Sequence, residues 1–311
     1  PENFYDLCIE VAIIRPGPIV GGMVHPYINR RHGREEIDYI HPSFEPVLKR
    51  TLGVPLFQEQ VLQMAMIIAD FTGSEAEELR RAISFNRSKV RMNKVLAKLR
   101  AAMERKGVEK EVQDRIESSI CSFALYGFPE SHAISFALLA YVSVWLKEHR
   151  PAEFYTALLN NQPMGFYSPA TLVKDAQRHG IRTRPVCVVE SEDVATVEDD
   201  HTIRLGLRQV KGLDRRATER IVMERALRPW DSIADFLRRT GIDKDQRRVL
   251  AKTGALNALT EHRRDALWKV ETFLDEDDLF SWRETKTKPP GPLQMMSPVE
   301  RLRSDYEGLH L

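Results

Sequence analysis

Apolar side chains recur at helical spacing through the middle of the chain. From Met92 to Met103 they fall three or four residues apart, which predicts a helix with one buried face. Residues 58–69 lack glycine and proline and predict a second helix, and residues 132–149 predict a third that is apolar on most sides. A helix of this last kind is expected to lie at the centre of its domain.

Turn and cap residues set the expected helix ends. Ser74 and Glu77 have capping-box spacing, which predicts that a helix begins there. Gly107 is expected to end the helix with the apolar stripe, and Pro151 to end the long apolar helix. Residues 1–55 contain many glycines and prolines, so we expect short helices in an irregular segment.

The pattern changes after residue 165. Residues 169–179 predict a helix, residues 184–191 predict a strand, and two further strands are expected to join near Asp199. Residues 209–260 are again helical, with glycine turns. Residues 275–297 have no periodicity and predict a linker.

Composition narrows the class of protein. The 311 residues suit two or three domains, and 42% hydrophobic with 29% charged residues allows a real core. A net charge of +1 does not by itself indicate a nucleic-acid partner. Three distant cysteines indicate a reducing cytoplasm, and the scattered histidines predict no metal site. Residues 133–146 are too short an apolar stretch to span a bilayer, which needs about 20 residues, so no membrane partner is expected.

A basic run is the first feature that carries chemistry. Residues 79–103 hold eight basic and no acidic residues, a pattern that can neutralise phosphates. The adjacent guanidinium groups of Arg80 and Arg81 offer forked donors suited to a triphosphate. The alternative is a solvated helix face paired with nearby acids. The basic residues are Arg80, Arg81, Arg87, Lys89, Arg91, Lys94, Lys98 and Arg100.

An aromatic turn, Tyr126-Gly127-Phe128-Pro129, precedes the long apolar helix. Tyr126 could pack on a base pair and His132 could bind a phosphate, since glycine allows close approach of a ligand. The alternative is a tight turn with aromatic core anchors and Ser131 as the helix N-cap.

A helix-hairpin-helix pattern is the third such feature. Val210-Lys211-Gly212-Leu213 places a glycine between two predicted helices, so that backbone amides can face a DNA phosphate. Residues 252–256 form a second, weaker copy. A plain helical hairpin is the alternative. The predicted DNA-binding residues are Lys211, Gly212, Arg215, Arg216, Lys252 and Gly254, together with Lys89 of the basic run.

These motifs resemble one protein family. The runs RPGPIVGGMVHPYINRRHGREE, TLGVPLFQEQVLQMA, ELRRA and YGFPESHAISFALLAYVSVWLKEHRPAEFYTALL are similar to the fingers domain of bacterial DNA polymerase III alpha subunits. RLGLRQVKGL through KTGALNAL resembles the tandem helix-hairpin-helix region of that family. SPVERLRSDYEGLHL and ISFNRS resemble its accessory, error-prone branch. The resemblance covers essentially the whole chain.

The resemblance implies a mainly α fold with four segments. Residues 1–164 are expected to be a helical fingers domain, and residues 165–207 a small α/β connection. Residues 208–260 are expected to form the tandem helix-hairpin-helix module, and residues 261–311 a linker towards an oligonucleotide-binding barrel that the chain lacks. With proline in place of an initiator methionine, the chain is expected to be a fragment.

The function implied is DNA-directed DNA synthesis of the error-prone type, in replication and repair. By resemblance, Arg80, Arg81, Tyr126 and His132 bind the incoming dNTP, and the hairpins bind template-primer DNA. The family holds Mg²⁺ on palm aspartates, and no such aspartate run occurs here. No catalytic residue is therefore expected in this chain, which alone should be inactive. The alternatives are a non-enzymatic, sequence-independent DNA-binding module and a segment that links partners.

Partner recruitment is also predicted from the resemblance. Replicases of the family carry a clamp-binding motif that begins with glutamine, whereas the corresponding place here reads Asp277-Asp278-Leu279-Phe280. We therefore expect an adaptor protein resembling a polymerase to recruit the enzyme, and the sliding clamp to be reached only indirectly.

Overall fold

The computed structural model of the protein describes residues 1–14, 24–84, 89–124, 128–273 and 293–309, and side chains outside 83–91 and 122–127. The fold is mainly α, as predicted. The α-helices of these residues are α1 Phe4–Ile13, α2 Val24–Arg31, α3 Glu45–Leu48, α4 Gln58–Ala69, α5 Gly73–Ser84, α6 Lys89–Arg105, α7 Lys110–Ala124, α8 Glu130–His149, α9 Pro151–Asn160, α10 Pro169–Arg178, α11 Arg215–Leu227, α12 Ile233–Thr240, α13 Lys244–Thr253, α14 Arg263–Glu271 and α15 Pro298–Leu309. The strands are β1 Arg182–Arg184, β2 Thr196–Asp199 and β3 Thr202–Arg204.

The chain forms two compact units, Pro1–Val142 and Ser143–Leu311. The second unit has one hydrophobic core that draws residues from α9 through α15. Residues 261–311, predicted as a linker, include α14 and α15, whose Ala266, Val270 and Leu309 are buried in that core. The four segment boundaries implied by the resemblance stay predictions about domains.

In the first unit, the predicted apolar stripe is buried. Val95, Leu96, Leu99 and Met103 of α6 lie in a cluster with residues of α3 to α5 and α7, as their spacing predicts. The α6 helix ends at Arg105, and Gly107 follows in the left-handed conformation, with a φ of +69°, that glycine adopts readily. A second cluster joins α1 and α2 to the start of α8.

Helix α5 begins with a different cap from the predicted one. The Thr72 amide donates to Glu75 Oε2 at 3.0 Å, and the Glu75 amide donates to the Thr72 hydroxyl at 3.3 Å. The capping pair is therefore Thr72 and Glu75, two residues before the predicted pair of Ser74 and Glu77. This shift leaves the carboxylate of Glu77 available to side chains one turn further along α5.

Helix α8 spans the predicted residues but is not central. Its buried side chains are Ala133 and Ala137, which lie in the cluster with α1 and α2. Larger apolar side chains on the same helix are exposed, with Leu138 and Tyr141 each 53% accessible. The expectation of a buried helix is therefore wrong within the described residues, because they supply a partner for one narrow stripe only. None of the helices described is both long and apolar enough to cross a bilayer.

The small sheet of the second unit has the strand order β1-β3-β2. Strands β2 and β3 form the predicted antiparallel hairpin near Asp199, and β1 pairs with β3 in parallel. The strand predicted at residues 184–191 is wrong, since β1 ends at Arg184 and Pro185 follows. The Ser191 hydroxyl then accepts the Cys187 amide at 2.9 Å and holds this stretch in a turn.

We predict that Asp6 stabilises the first unit in a pH-dependent way. Its buried carboxylate accepts two bonds from Arg31, at 2.9 and 3.0 Å, and the Arg31 guanidinium lowers its pKa from 3.8 to about 2. A lowered pKa adds stability above the unfolded value, and this stability is lost as the pH falls through the folded value. Asp6→Asn should lower the free energy of unfolding by roughly 1 to 2 kcal/mol at neutral pH.

Urea unfolding at several pH values checks this prediction. The difference between wild type and Asp6→Asn should shrink as the pH falls from 3.8 towards 2, over the range in which both proteins fold. Glu36→Gln is the control, because Glu36 is exposed and forms no ion pair among the described residues. A difference that does not depend on pH would contradict the prediction.

Candidate nucleotide and nucleic-acid interface

Arg80 and Arg81 share one carboxylate on the outer face of α5. Arg80 donates from Nε and Nη2 to the two oxygens of Glu77, both at 2.8 Å, and Arg81 Nε donates to Glu77 Oε1 at 3.0 Å. This geometry follows from helical spacing, since residues three and four positions apart lie on the same face. Sequence reasoning counted Glu77 both as a cap and among the acids that could pair with the basic run, and the structure shows it in the second role.

The charge of this cluster remains positive. Hydrogen bonds from Arg80, and then from Arg81, lower the pKa of Glu77 to about 2, so its carboxylate is ionised at neutral pH. Two guanidinium groups and one carboxylate leave one net positive charge. Both arginine side chains are solvent-accessible, 43% for Arg80 and 66% for Arg81. An incoming anion can therefore reach them, in competition with Glu77.

Other basic side chains of the run pair with acids. Lys98 lies 3.4 Å from Glu78, and Arg100 forms ion pairs with Asp114 and Glu117. Lys98 and Arg100 are thus paired with acids, as Arg80 and Arg81 are with Glu77, which is what the alternative of a solvated helix face expects. Lys89 is the first residue of α6, and its side chain lies outside the described residues, so its DNA contact stays a prediction.

The aromatic turn is described only in part. Tyr126 lies outside the described residues. His132 is exposed on the first turn of α8. The centroid of its ring lies 4.9 Å from that of Phe128 and 4.6 Å from that of Phe136. The α8 N-terminus is capped from α4, since Glu59 accepts the Glu130 amide at 2.9 Å. Ser131, the N-cap in the alternative interpretation, lies inside the helix. Joint nucleotide binding by His132 and the arginines of α5 stays a prediction.

The first hairpin presents an open glycine. Leu207 and Val210 are buried in the core of the second unit, and α11 follows with Asp214 as its N-cap. Between them Gly212 has a φ of +79°, and a Cβ built on it would meet no heavy atom within 4 Å. Among the described residues its amide has no hydrogen-bond acceptor. The turn can thus offer that amide to a phosphate.

The basic residues beside this turn differ in whether their side chains already have a bonding partner. The Lys211 ammonium donates to the carbonyl of Tyr306 at 3.3 Å, and Arg215 pairs with Glu219 at 2.7 Å. Arg216 is exposed and has no ion pair within the described part of the chain. Arg216 is therefore the cation at this hairpin that a phosphate can reach without displacing a partner.

The second hairpin is built differently. Gly254, with a φ of +82°, is the C-cap of α13, and its amide donates to Ala251 O at 3.2 Å. A Cβ there would lie 2.6 Å from Arg263 Nε, so that side chain covers the glycine. Lys252 is exposed beside it. No local sequence signal indicated the cover by Arg263, because that residue comes from the next helix.

No metal site is formed by these residues. Within the ranges given above, no group of three or more His, Cys, Asp or Glu side chains could hold a metal ion. The resemblance implies Mg²⁺ held by aspartates outside this chain, and none of the residues described is assigned as its ligand.

Comparison with known proteins shows to which proteins the chain is related. Residues 1–107 match the bacterial DNA polymerase III alpha subunit finger domain, and residues 180–266 match the helix-hairpin-helix motif. The error-prone DNA polymerase of Dechloromonas aromatica (strain RCB) is 45% identical over 100% of this chain. The chain is a homologue of part of the bacterial error-prone DNA polymerases. The predicted resemblance is confirmed.

Other relatives carry the same name. The error-prone DNA polymerase of Anaeromyxobacter sp. (strain K) is 46% identical over 98% of this chain and 28% of its own length. That of Alkalilimnicola ehrlichii (strain ATCC BAA-1101 / DSM 17681 / MLHE-1) is 50% identical over 87% of the chain and 27% of its own length. The chain spans 30% of the Dechloromonas polymerase. The activity of a whole polymerase is therefore a proposal here.

We predict that Gly212→Ala weakens duplex binding. The substitution strains the left-handed backbone and adds a methyl group beside the open amide. The dissociation constant for a DNA duplex should rise by about tenfold, the equivalent of one charge-assisted hydrogen bond. Fluorescence anisotropy with a labelled duplex measures this change.

Gly165→Ala is the matched control for backbone strain. Gly165 has a φ of +93° and, like Gly212, no heavy atom within 4 Å of a built Cβ. It lies in the same unit but outside the helix-hairpin-helix match. Equal losses of affinity in the two variants would show that strain, and not the amide, explains the effect.

Proposed function

We propose that this chain is the part of an error-prone DNA polymerase that binds the incoming dNTP and the template-primer duplex. The observation that carries the proposal is the pair of accessible guanidinium groups on α5, Arg80 and Arg81, held side by side by Glu77. A pure duplex-binding module has no need of such a pair. The homology to error-prone DNA polymerases over the whole chain supports the same choice.

Triphosphate binding follows from the chemistry of the pair. Guanidinium forks bind phosphate oxygens with two parallel hydrogen bonds, and a triphosphate carries more negative charge than one carboxylate. The nucleotide then displaces Glu77 from at least one arginine. Tyr126 and His132 are proposed to contact the base pair and a phosphate, on the strength of the sequence resemblance.

Duplex binding is proposed for the hairpins. The open amide of Gly212 lies just before the N-terminus of α11, where the helix dipole favours an anion. Lys211, Arg215, Arg216 and Lys252 add positive charge around the two turns. Such contacts grip the phosphate backbone and do not read its sequence, so affinity should fall steeply as salt rises.

The remaining parts of the reaction are proposed to come from elsewhere in the polymerase. DNA polymerases use divalent metal ions in general, and we propose Mg²⁺ held by aspartates outside this chain. The exposed apolar side chains of α8 are proposed to be covered by the rest of the longer protein, since contiguous apolar surface marks an interaction site. We further propose a cytoplasmic enzyme that an adaptor protein brings to the sliding clamp. Residues 277–280, which stand where the replicases carry their clamp-binding motif, lie outside the described residues.

We predict that Arg80→Ala in the full-length polymerase impairs use of the nucleotide. The KM for dNTP should rise or kcat should fall by at least about tenfold, because a charge-assisted bond to phosphate is lost. The affinity for template-primer duplex should stay nearly unchanged. Steady-state primer extension and a separate duplex-binding measurement give the two values.

Arg115→Ala is the matched control for loss of an exposed, acid-paired arginine. Arg115 pairs with Asp38 on the surface of the same unit, and its side chain is 45% accessible against 43% for Arg80. If Arg80 were only a surface ion-pair residue, the two variants would behave alike. Unchanged nucleotide kinetics in Arg80→Ala would favour the non-enzymatic DNA-binding alternative.

A further inference from the structure

The C-terminal turn of α15 docks on both hairpins. The Lys211 amide donates to Gly308 O at 2.8 Å, while its ammonium donates to Tyr306 O. On the other side, a Cβ built on Gly308 would lie 2.4 Å from Cγ2 of Thr253, the residue before Gly254. Gly308 thus lets α15 approach the second hairpin closely while its carbonyl binds the first.

Helix α15 is held mainly by polar contacts. Arg263 pairs with Asp305 at 2.7 Å, and Arg264 pairs with Glu300 at 2.6 Å. Leu309 is its buried residue. The other large apolar side chains of α15 face solvent: Val299, Leu302 and Tyr306. Release of α15 exposes Leu309 and breaks both ion pairs, so the free energy of binding a phosphate has to offset this cost.

The docked turn presents hydrogen-bond acceptors to Lys211, as a phosphate would. Carbonyl oxygens at a helix C-terminus carry partial negative charge, and here they accept both donors of Lys211. Glu307 lies in the same turn, where a hydrogen bond from Arg303 at 2.8 Å lowers its pKa, so these two side chains form an ion pair with no net charge. Lys211 therefore contacts acceptor oxygens, with partial negative charge, that belong to the chain itself.

We propose that α15 is an internal competitor of the DNA duplex, whose C-terminal turn occupies Lys211 until a DNA phosphate replaces it. The inference rests on the proposed function of the hairpins. The docked helix leaves the Gly212 amide open, so it weakens duplex binding and does not abolish it. Duplex binding and undocking of α15 are then coupled.

A disulfide can lock α15 in its seat. The Cβ built on Gly308 lies 3.8 Å from the Cβ of Thr253, the usual separation across a disulfide. The double variant Thr253→Cys/Gly308→Cys is compared in its oxidised and reduced forms with a fluorescent DNA duplex. The oxidised form should bind about tenfold more weakly, because Lys211 stays occupied. Wild type and the two single variants, under both conditions, are the controls.

Each outcome of the disulfide experiment either supports or overturns the inference. Weaker binding that reduction restores supports the inference. Equal binding by both forms at the wild-type level overturns it and leaves duplex binding by the hairpins intact. Failure of the disulfide to form overturns the docked geometry. If wild type binds no duplex, the proposed hairpin function fails, and this inference fails with it.

Gly308→Ala perturbs the same contact in the opposite direction. Its Cβ meets the buried side chain of Thr253, so α15 must move away, although alanine favours the helix itself. Duplex affinity should rise by about threefold. Lower or unchanged affinity in this variant, with circular dichroism like that of wild type, would count against the inference.

Discussion

Burial of one core in the second unit fixes both hairpin turns. Leu207 and Val210 anchor the chain before Gly212, and Leu250, Ala255 and Leu256 anchor it around Gly254. Because these apolar side chains cannot leave the core without a large loss of hydrophobic free energy, the two turns stand at fixed positions on one body. The open Gly212 amide and the basic side chains beside the turns are thereby positioned in advance, as the proposed contacts with a rigid phosphate backbone require.

Most of the basic side chains at the proposed contacts are paired with acceptors of the same chain. Arg80 and Arg81 hold Glu77, Arg215 holds Glu219, and Lys211 holds the end of α15. Such partners keep long side chains oriented while no phosphate is bound, and a more highly charged ligand can replace them. A near-neutral net charge therefore does not conflict with nucleic-acid binding, since the partner acids are neighbours of the proposed contacts.

Local pattern predicted most helices well and capping less well. The α4 helix has its predicted bounds, and the apolar stripe of α6 is buried, because spacing along a helix directly determines which side chains share a face. The cap of α5 was misplaced by two residues, since Thr72 and Glu75 offer the same spacing. The strand expected at residues 184–191 was wrong because apolar composition alone does not distinguish a buried strand from a buried turn.

The sequence by itself determined the mainly α class, the family resemblance, the paired arginines and the glycine of the first hairpin, because each is written in neighbouring residues. Only the tertiary structure decided which donors are free. Arg263 covers Gly254 from the following helix, and Gly308, from much further along the chain, brings α15 against Lys211. No local pattern can encode such contacts, because they depend on how the core brings distant helices together.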